Sequence, residues 1–106
     1  AAAEAVVDEC IAAYADASIG DPSKIYNQAF MNYVELGNIL QIAKTVCMGA
    51  RARKESRGSH SREDFPQRDD ERFLAHTLVS LAKDGSYSID YRPVSVTKLP
   101  PEKRTY

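Results

Sequence analysis

The chain is 106 residues long, 43% hydrophobic and 27% charged, with a formal net charge of −1. That length gives one domain with a modest core, and that composition excludes intrinsic disorder. Near-neutral charge leaves no electrostatic case for nucleic acid as a partner. No apolar run approaches the roughly 20 residues that span a bilayer, and no signal peptide is visible, so direct membrane insertion is not expected.

The chain opens Ala1-Ala2-Ala3 rather than on Met, which reads as an excised piece of something longer. Residues 3–17 carry helical spacing, with Ala3, Val7, Cys10, Ile11, Tyr14 and Ala17 on one face and Glu4, Asp8 and Asp16 away from it. Breakers and caps then cluster at Ser18-Ile19-Gly20-Asp21-Pro22-Ser23, the expected loop between antiparallel helices. A second helix is predicted over 23–53, capped by Asp21 or Ser23 with Pro22 in the first turn. Its apolar positions, from Tyr26, Phe30, Tyr33 and Gly37 to Val46 and Ala50, advance by threes and fours. About 30 residues at 1.5 Å each make it about 45 Å long. Gly37 falls on the apolar face, where Gly costs about 1 kcal/mol relative to Ala, so a close helix–helix approach is expected there. Met31, Met48 and the aromatics read as core rather than cofactor contacts. Cys10 and Cys47 lie on helical apolar patterns, and a reduced pair is expected over a disulfide.

The stretch that follows, 55–69, interleaves acids with arginines and is broken by Gly58 and Pro66. With Arg51, Arg53, Lys54 and Arg72 around it, it holds half of the 14 Lys and Arg residues. The planar fork of Arg suits fixed, bidentate pairing with carboxylates, so an ordered, salt-bridged loop is predicted. A third helix is predicted over 70–83, capped by Asp69 or Asp70, with Phe73, Leu74, Thr77, Leu78 and Leu81 as its buried stripe and Gly85 past its end. His76 then reads as a partly buried helical residue. Residues 86–91 alternate Tyr87, Ile89 and Tyr91 with Ser86, Ser88 and Asp90, one exposed strand resumed at Val94-Ser95-Val96. Pro100-Pro101 enforces an extended ending. The expected fold class is all-α: a three-helix bundle, spectrin-repeat-like, with an extended, strand-like C-terminal tail over 86–106. The Ala-rich first helix and the polar tail leave apolar surface for a neighbouring domain.

Catalytic chemistry finds little support. His60, Glu63 and Asp64 are close in sequence, but zinc needs three or four converging ligands, and both cysteines lie on distant segments. Ser59, His60 and Asp64 lack any nucleophile-elbow or oxyanion signature. The five glycines are scattered, without a G-x-G-x-x-G loop, so no flavin dinucleotide is expected to bind here by the usual device. Neither a catalytic residue nor a metal or cofactor ligand is assigned. What remains is a plain solvated loop or an interface clamp of Arg57, His60, Arg62, Asp64, Arg68 and Asp69.

Three groups of residues carry a resemblance. They are Glu55-Ser56-Arg57-Gly58 with His60; Arg62-Glu63-Asp64-Phe65-Pro66; and Arg68-Asp69-Asp70. Together they resemble the C-terminal helical domain of succinate dehydrogenase and fumarate reductase flavoprotein subunits. Tyr26-Asn27 through Leu40, Tyr91-Arg92-Pro93-Val94 and Pro100 to Tyr106 extend the likeness, which covers roughly residues 20–106. The resemblance implies a parent enzyme that interconverts succinate and fumarate at FAD and passes electrons to an iron–sulfur subunit. It implies two partners for this piece, the FAD-binding domain of the same chain and that iron–sulfur subunit. It also implies an intracellular place, peripheral to the inner face of the membrane. The flavin-linking, dicarboxylate-binding and proton-shuttling groups belong upstream, so this piece is expected to be non-catalytic. L-aspartate oxidase, which also carries Glu-Ser-Arg-Gly, is the rival within the superfamily. A stand-alone helical adaptor is the rival outside it.

Overall fold

The computed structural model describes residues 2–102. By their internal contacts the residues form two compact units, Ala1–Met48 and Gly49–Tyr106. In the first, α1 (Ala2–Ala15) and the greater part of α2 (Gln28–Ala52) realise the spacing by threes and fours. Tyr14 stacks on Tyr33 with ring centroids 4.4 Å apart, and Lys44 reaches Asp8 at 2.6 Å. Gly37 makes the close approach expected of it: a Cβ there would sit 2.6 Å from the Tyr14 hydroxyl oxygen.

α2 begins five residues later than predicted, because Asn27 rather than Asp21 or Ser23 caps it. The Asn27 side-chain oxygen accepts from the Phe30 N–H at 2.7 Å, while its amide donates to the carbonyls of Asp21 and Ser23. Asp21 instead accepts from the Ser23 N–H at 2.9 Å, closing a local turn. Tyr26 at φ 54° stops any helical continuation backwards.

In the second unit the all-α expectation is corrected. The third helix is a single turn, α3 (Asp70–Phe73), capped by the Asp69 side chain. It gives way to β1 (Ala75–Leu81), which pairs antiparallel with β2 (Tyr87–Pro93) in the register Thr77↔Tyr91, Val79↔Ile89 and Leu81↔Tyr87. Residues 75–81 satisfy a period of two as well as a helical one. The half-buried Ala75, Thr77 and Val79 alternate with exposed neighbours, and His76 is exposed on the strand rather than partly buried on a helix. A lone strand at 87–93 would leave its backbone groups unpaired, and pairing with 75–81 decides the ambiguity. Gly85, read as a helix terminator, is the left-handed residue of a three-residue hairpin loop at φ 83°. Its N–H donates to the Ala82 carbonyl at 3.0 Å, and the Ala82 N–H to the Ser86 carbonyl at 2.8 Å. Val94 to Val96 do not resume a strand. Of the Pro100-to-Tyr106 ending, residues 103–106 lie outside the described residues.

Burial is sparse. Among the described residues Phe73 is the one buried apolar side chain and Glu55 the one buried charged one. Phe73 meets Tyr91 edge-on at 5.9 Å and the Arg53 guanidinium at 5.5 Å from its ring centre. α2 is apolar on several sides at once, with Phe30, Ile39, Ile42 and Val46 each more than half exposed. Helices of that kind are buried on more than one side in their working state.

Candidate functional site

The charged loop is closed on itself before it pairs its charges. Arg57-Gly58-Ser59-His60 forms a two-residue hairpin, its ends joined by Arg57 N–H to His60 carbonyl at 2.8 Å and the reverse bond at 3.0 Å. Gly58 sits at φ 58°, the first central position where such a turn requires a residue without a Cβ. Ser56 ties the loop across: its hydroxyl donates to the Phe65 carbonyl at 2.8 Å and accepts from the Arg62 N–H at 2.9 Å. Its own N–H donates to the Gln67 carbonyl at 3.1 Å.

Glu55 is the centre, with no exposed surface. Its Oε1 accepts from Arg57 Nε at 2.9 Å and from Arg53 Nη1. Its Oε2 accepts from Arg57 Nη2 at 3.0 Å and from the Asp69 N–H at 2.9 Å. Burial alone would push this carboxyl up. The Arg57 guanidinium, the Asp69 N–H and Arg53 outweigh it and hold the group below the usual carboxylate range. Hydrogen bonding to Glu55 in turn raises Arg57, which stays charged. Arg57 Nη2 also reaches Asp70 Oδ1 at 2.5 Å, and Arg68 Nη2 reaches Asp70 Oδ2 at 2.7 Å. Arg57 first, and Arg68 with it, hold Asp70 low as well.

Arg53, at the foot of α2, fastens the hairpin: it donates to the carbonyls of Phe73, at 2.8 Å, and of Ala75. Arg62 forms a separate pair, gripping Asp64 at 2.9 and 2.5 Å and the Arg51 carbonyl at 2.7 Å, with its guanidinium 4.8 Å from the Phe65 ring centre.

Of the six residues expected to act together, Arg57, Arg68 and the backbone of Asp69 therefore join one network. Arg62 and Asp64 form another. The His60 ring bonds the Arg53 carbonyl at 3.3 Å, and the Asp69 side chain caps α3 through the Arg72 N–H. Sequence reasoning left out Glu55, Arg53 and Asp70. The available signal was the spacing of acid and arginine two apart at Arg53, Glu55 and Arg57, which sets both forks beside one carboxylate.

No group of three or more His, Cys, Asp or Glu side chains among the described residues could hold a metal. The sheet is an antiparallel hairpin, so the described residues offer a flavin dinucleotide no strand–glycine loop–helix cradle for its pyrophosphate. Cys10 and Cys47 are free thiols.

Residues 1–106 match the family model described as the fumarate reductase flavoprotein C-terminus. The chain belongs to that family. A fumarate reductase flavoprotein subunit from Mycobacterium tuberculosis is 44% identical over 88% of this chain and 16% of its own length. A succinate dehydrogenase flavoprotein subunit from Rickettsia conorii is 42% identical over 95% of this chain and 18% of its own. A solved structure of E. coli quinol fumarate reductase aligns with TM-score 0.77 at 35% identity, over 94% of this chain and 19% of that one. The chain thus spans about a sixth of the length of the curated relatives it matches. The described residues, mostly helical with a small two-stranded antiparallel sheet, share their fold with that solved chain.

Proposed function

We propose that this chain works as the C-terminal domain of a flavoprotein subunit that interconverts succinate and fumarate at FAD, with electrons passing to an iron–sulfur subunit. The match of the whole chain to the family carries this reading. The flavin and the dicarboxylate are held by residues outside these 106, and the domain's part is structural. The interdomain surface in this reading is the loop bearing Arg57, His60, Arg62, Asp64, Arg68 and Asp69, together with the apolar sides of α2. Internal ion pairs preorganise the loop, so docking orders few side chains and its entropic cost is low. The exposure of Phe30, Ile39, Ile42 and Val46 supports a large neighbour. No described helix is long and apolar enough to cross a membrane. A peripheral place on the inner face of the membrane, through the complex, belongs to the same proposal.

The experiment compares the isolated chain with the full-length subunit. The isolated chain is expected to show neither flavin absorbance nor succinate-dependent dye reduction, and the full-length subunit both. Asp64→Lys, which breaks the pair with Arg62 and reverses a charge on the exposed side of the loop, should lower the isolated chain's melting modestly and flavin retention in the full-length subunit by more than that loss accounts for. Flavin bound by the isolated chain, or a full-length subunit inert towards succinate and fumarate alike, overturns the reading.

A further inference from the structure

The ion pairs of the loop do not stop at a carboxylate. From buried Glu55 they alternate in sign through Arg57 and Asp70 to Arg68. Arg68 then turns its donors onto the main chain of the tail. Its Nη1 donates to the Glu102 carbonyl and its Nη2 to the Pro101 carbonyl at 3.3 Å.

Upstream, the tail is held where it leaves β2, by the Val94 N–H on the Leu74 carbonyl at 3.3 Å. That first point is fixed by the hairpin. The second depends on one side chain. We propose that residues 94–102 are a strap latched by Arg68, and that Glu55 sets the latch through Arg57 and Asp70.

The chemistry of the joint supports a latch rather than a passive contact. A guanidinium presents parallel donors that two consecutive carbonyls can share, which an ammonium on a flexible stem does not reproduce. Asp70 gives one oxygen to Arg57 and the other to Arg68, so it is common to the anchor and the latch. The Asp69 N–H on Glu55 fixes the backbone immediately before Asp70. Losing the Glu55 charge therefore frees Arg57, which unbalances Asp70, which in turn lets Arg68 leave the tail. When closed, the strap supplies Pro101 and Glu102 as one wall of a cleft of about 530 Å³, whose other wall includes Arg57, His60 and Gln67. The latch is a property of this chain and holds whether or not the proposed enzyme function does.

The test is ¹⁵N relaxation on the 106-residue chain, reading order parameters at Leu99 and Glu102, with β1 and β2 amides as the control for folding. In the unaltered chain both tail amides should be near the rigid value of about 0.85. Arg68→Ala and Arg68→Lys should drop them below about 0.6 with the hairpin unchanged. Asp70→Asn should do the same, and Glu55→Gln should loosen the tail although it touches no tail atom. Should Glu55→Gln disorder the whole loop, the half-exposed Asp70→Asn decides the coupling. A tail already mobile in the unaltered chain, or one that stays rigid in Arg68→Ala, overturns the latch. A rigid tail in Asp70→Asn overturns the coupling to Glu55.

Discussion

Glu55 carries its charge out of water and recovers it from two guanidiniums and a backbone N–H. Removing one partner of a buried pair costs about 3–5 kcal/mol, far more than the 0–1 kcal/mol of a surface pair, because the remaining charge is stranded. Glu55→Gln should therefore lower the denaturation midpoint of the 49–106 unit by several-fold more than Arg72→Ala, which removes a largely exposed guanidinium from its pair with Asp69. Urea titration followed at the hairpin amides reads the difference. Arg57→Lys should recover little of what Arg57→Ala loses, since Lys cannot bridge Glu55 and Asp70 with a fork.

Acid acts on the same residues. Glu55, Asp64 and Asp70 all have lowered carboxyl pKa values in the fold. The unfolded chain thus binds more protons than the folded one, and stability falls as pH falls. The contribution is complete above the ordinary carboxylate range near 4 and is lost below it as pH passes the depressed folded values. A melting temperature flat above about pH 5 and falling below about pH 4 is expected, with a shallower fall in Asp70→Asn.

At the scale of the element, Gly37 sets two effects against each other. Ala is about 1 kcal/mol better in a helix interior, yet its Cβ would meet the Tyr14 hydroxyl at 2.6 Å. Gly37→Ala should lower the melting temperature, and adding Tyr14→Ala should recover part of the loss; a stabilised single variant would mean the ring simply moves aside. Leu40→Pro should cost about 3 kcal/mol or more by breaking α2 in mid-course.

These helices were legible because their pattern is sustained over many turns and matches one period only. Gly37 was legible for a related reason: a costly residue on an apolar face implies a near neighbour. The stretch after Asp70 was not. Phe73, Leu74, Thr77 and Leu78 fit a helix, Ala75, Thr77 and Val79 fit a strand, and the arbiter is a partner ten or more residues away. Asp84-Gly85 belongs to a hairpin loop as naturally as to a helix end, so the turn did not break the tie. The arginine-rich loop was readable as salt-bridged. That its centre would be Glu55 depends on Arg53, Arg57 and Asp69 converging in space, which no local pattern states.

At the scale of the molecule, the imbalance among the described residues between one buried apolar side chain and many exposed ones is the dominant fact. The isolated chain should bind a hydrophobic dye such as ANS, and the full-length subunit should suppress that signal at α2. Equal dye binding in both contexts would place the α2 surface outside the interdomain contact. The 49–106 unit holds that one buried side chain, Phe73, and otherwise owes much to Arg53, Arg57, Arg62 and Arg68. That dependence bears on the choice of denaturant. Guanidinium chloride is roughly twice as strong as urea per mole against ordinary folded chains. Here its cation has the same planar fork as the four arginines and can take their places at Asp64, Asp70 and the tail carbonyls, while its salt screens the outer pairs. A unit fastened by guanidinium groups should thus yield to guanidinium earlier than its urea resistance foretells, whereas α1 and α2 up to Met48 should keep the usual ratio.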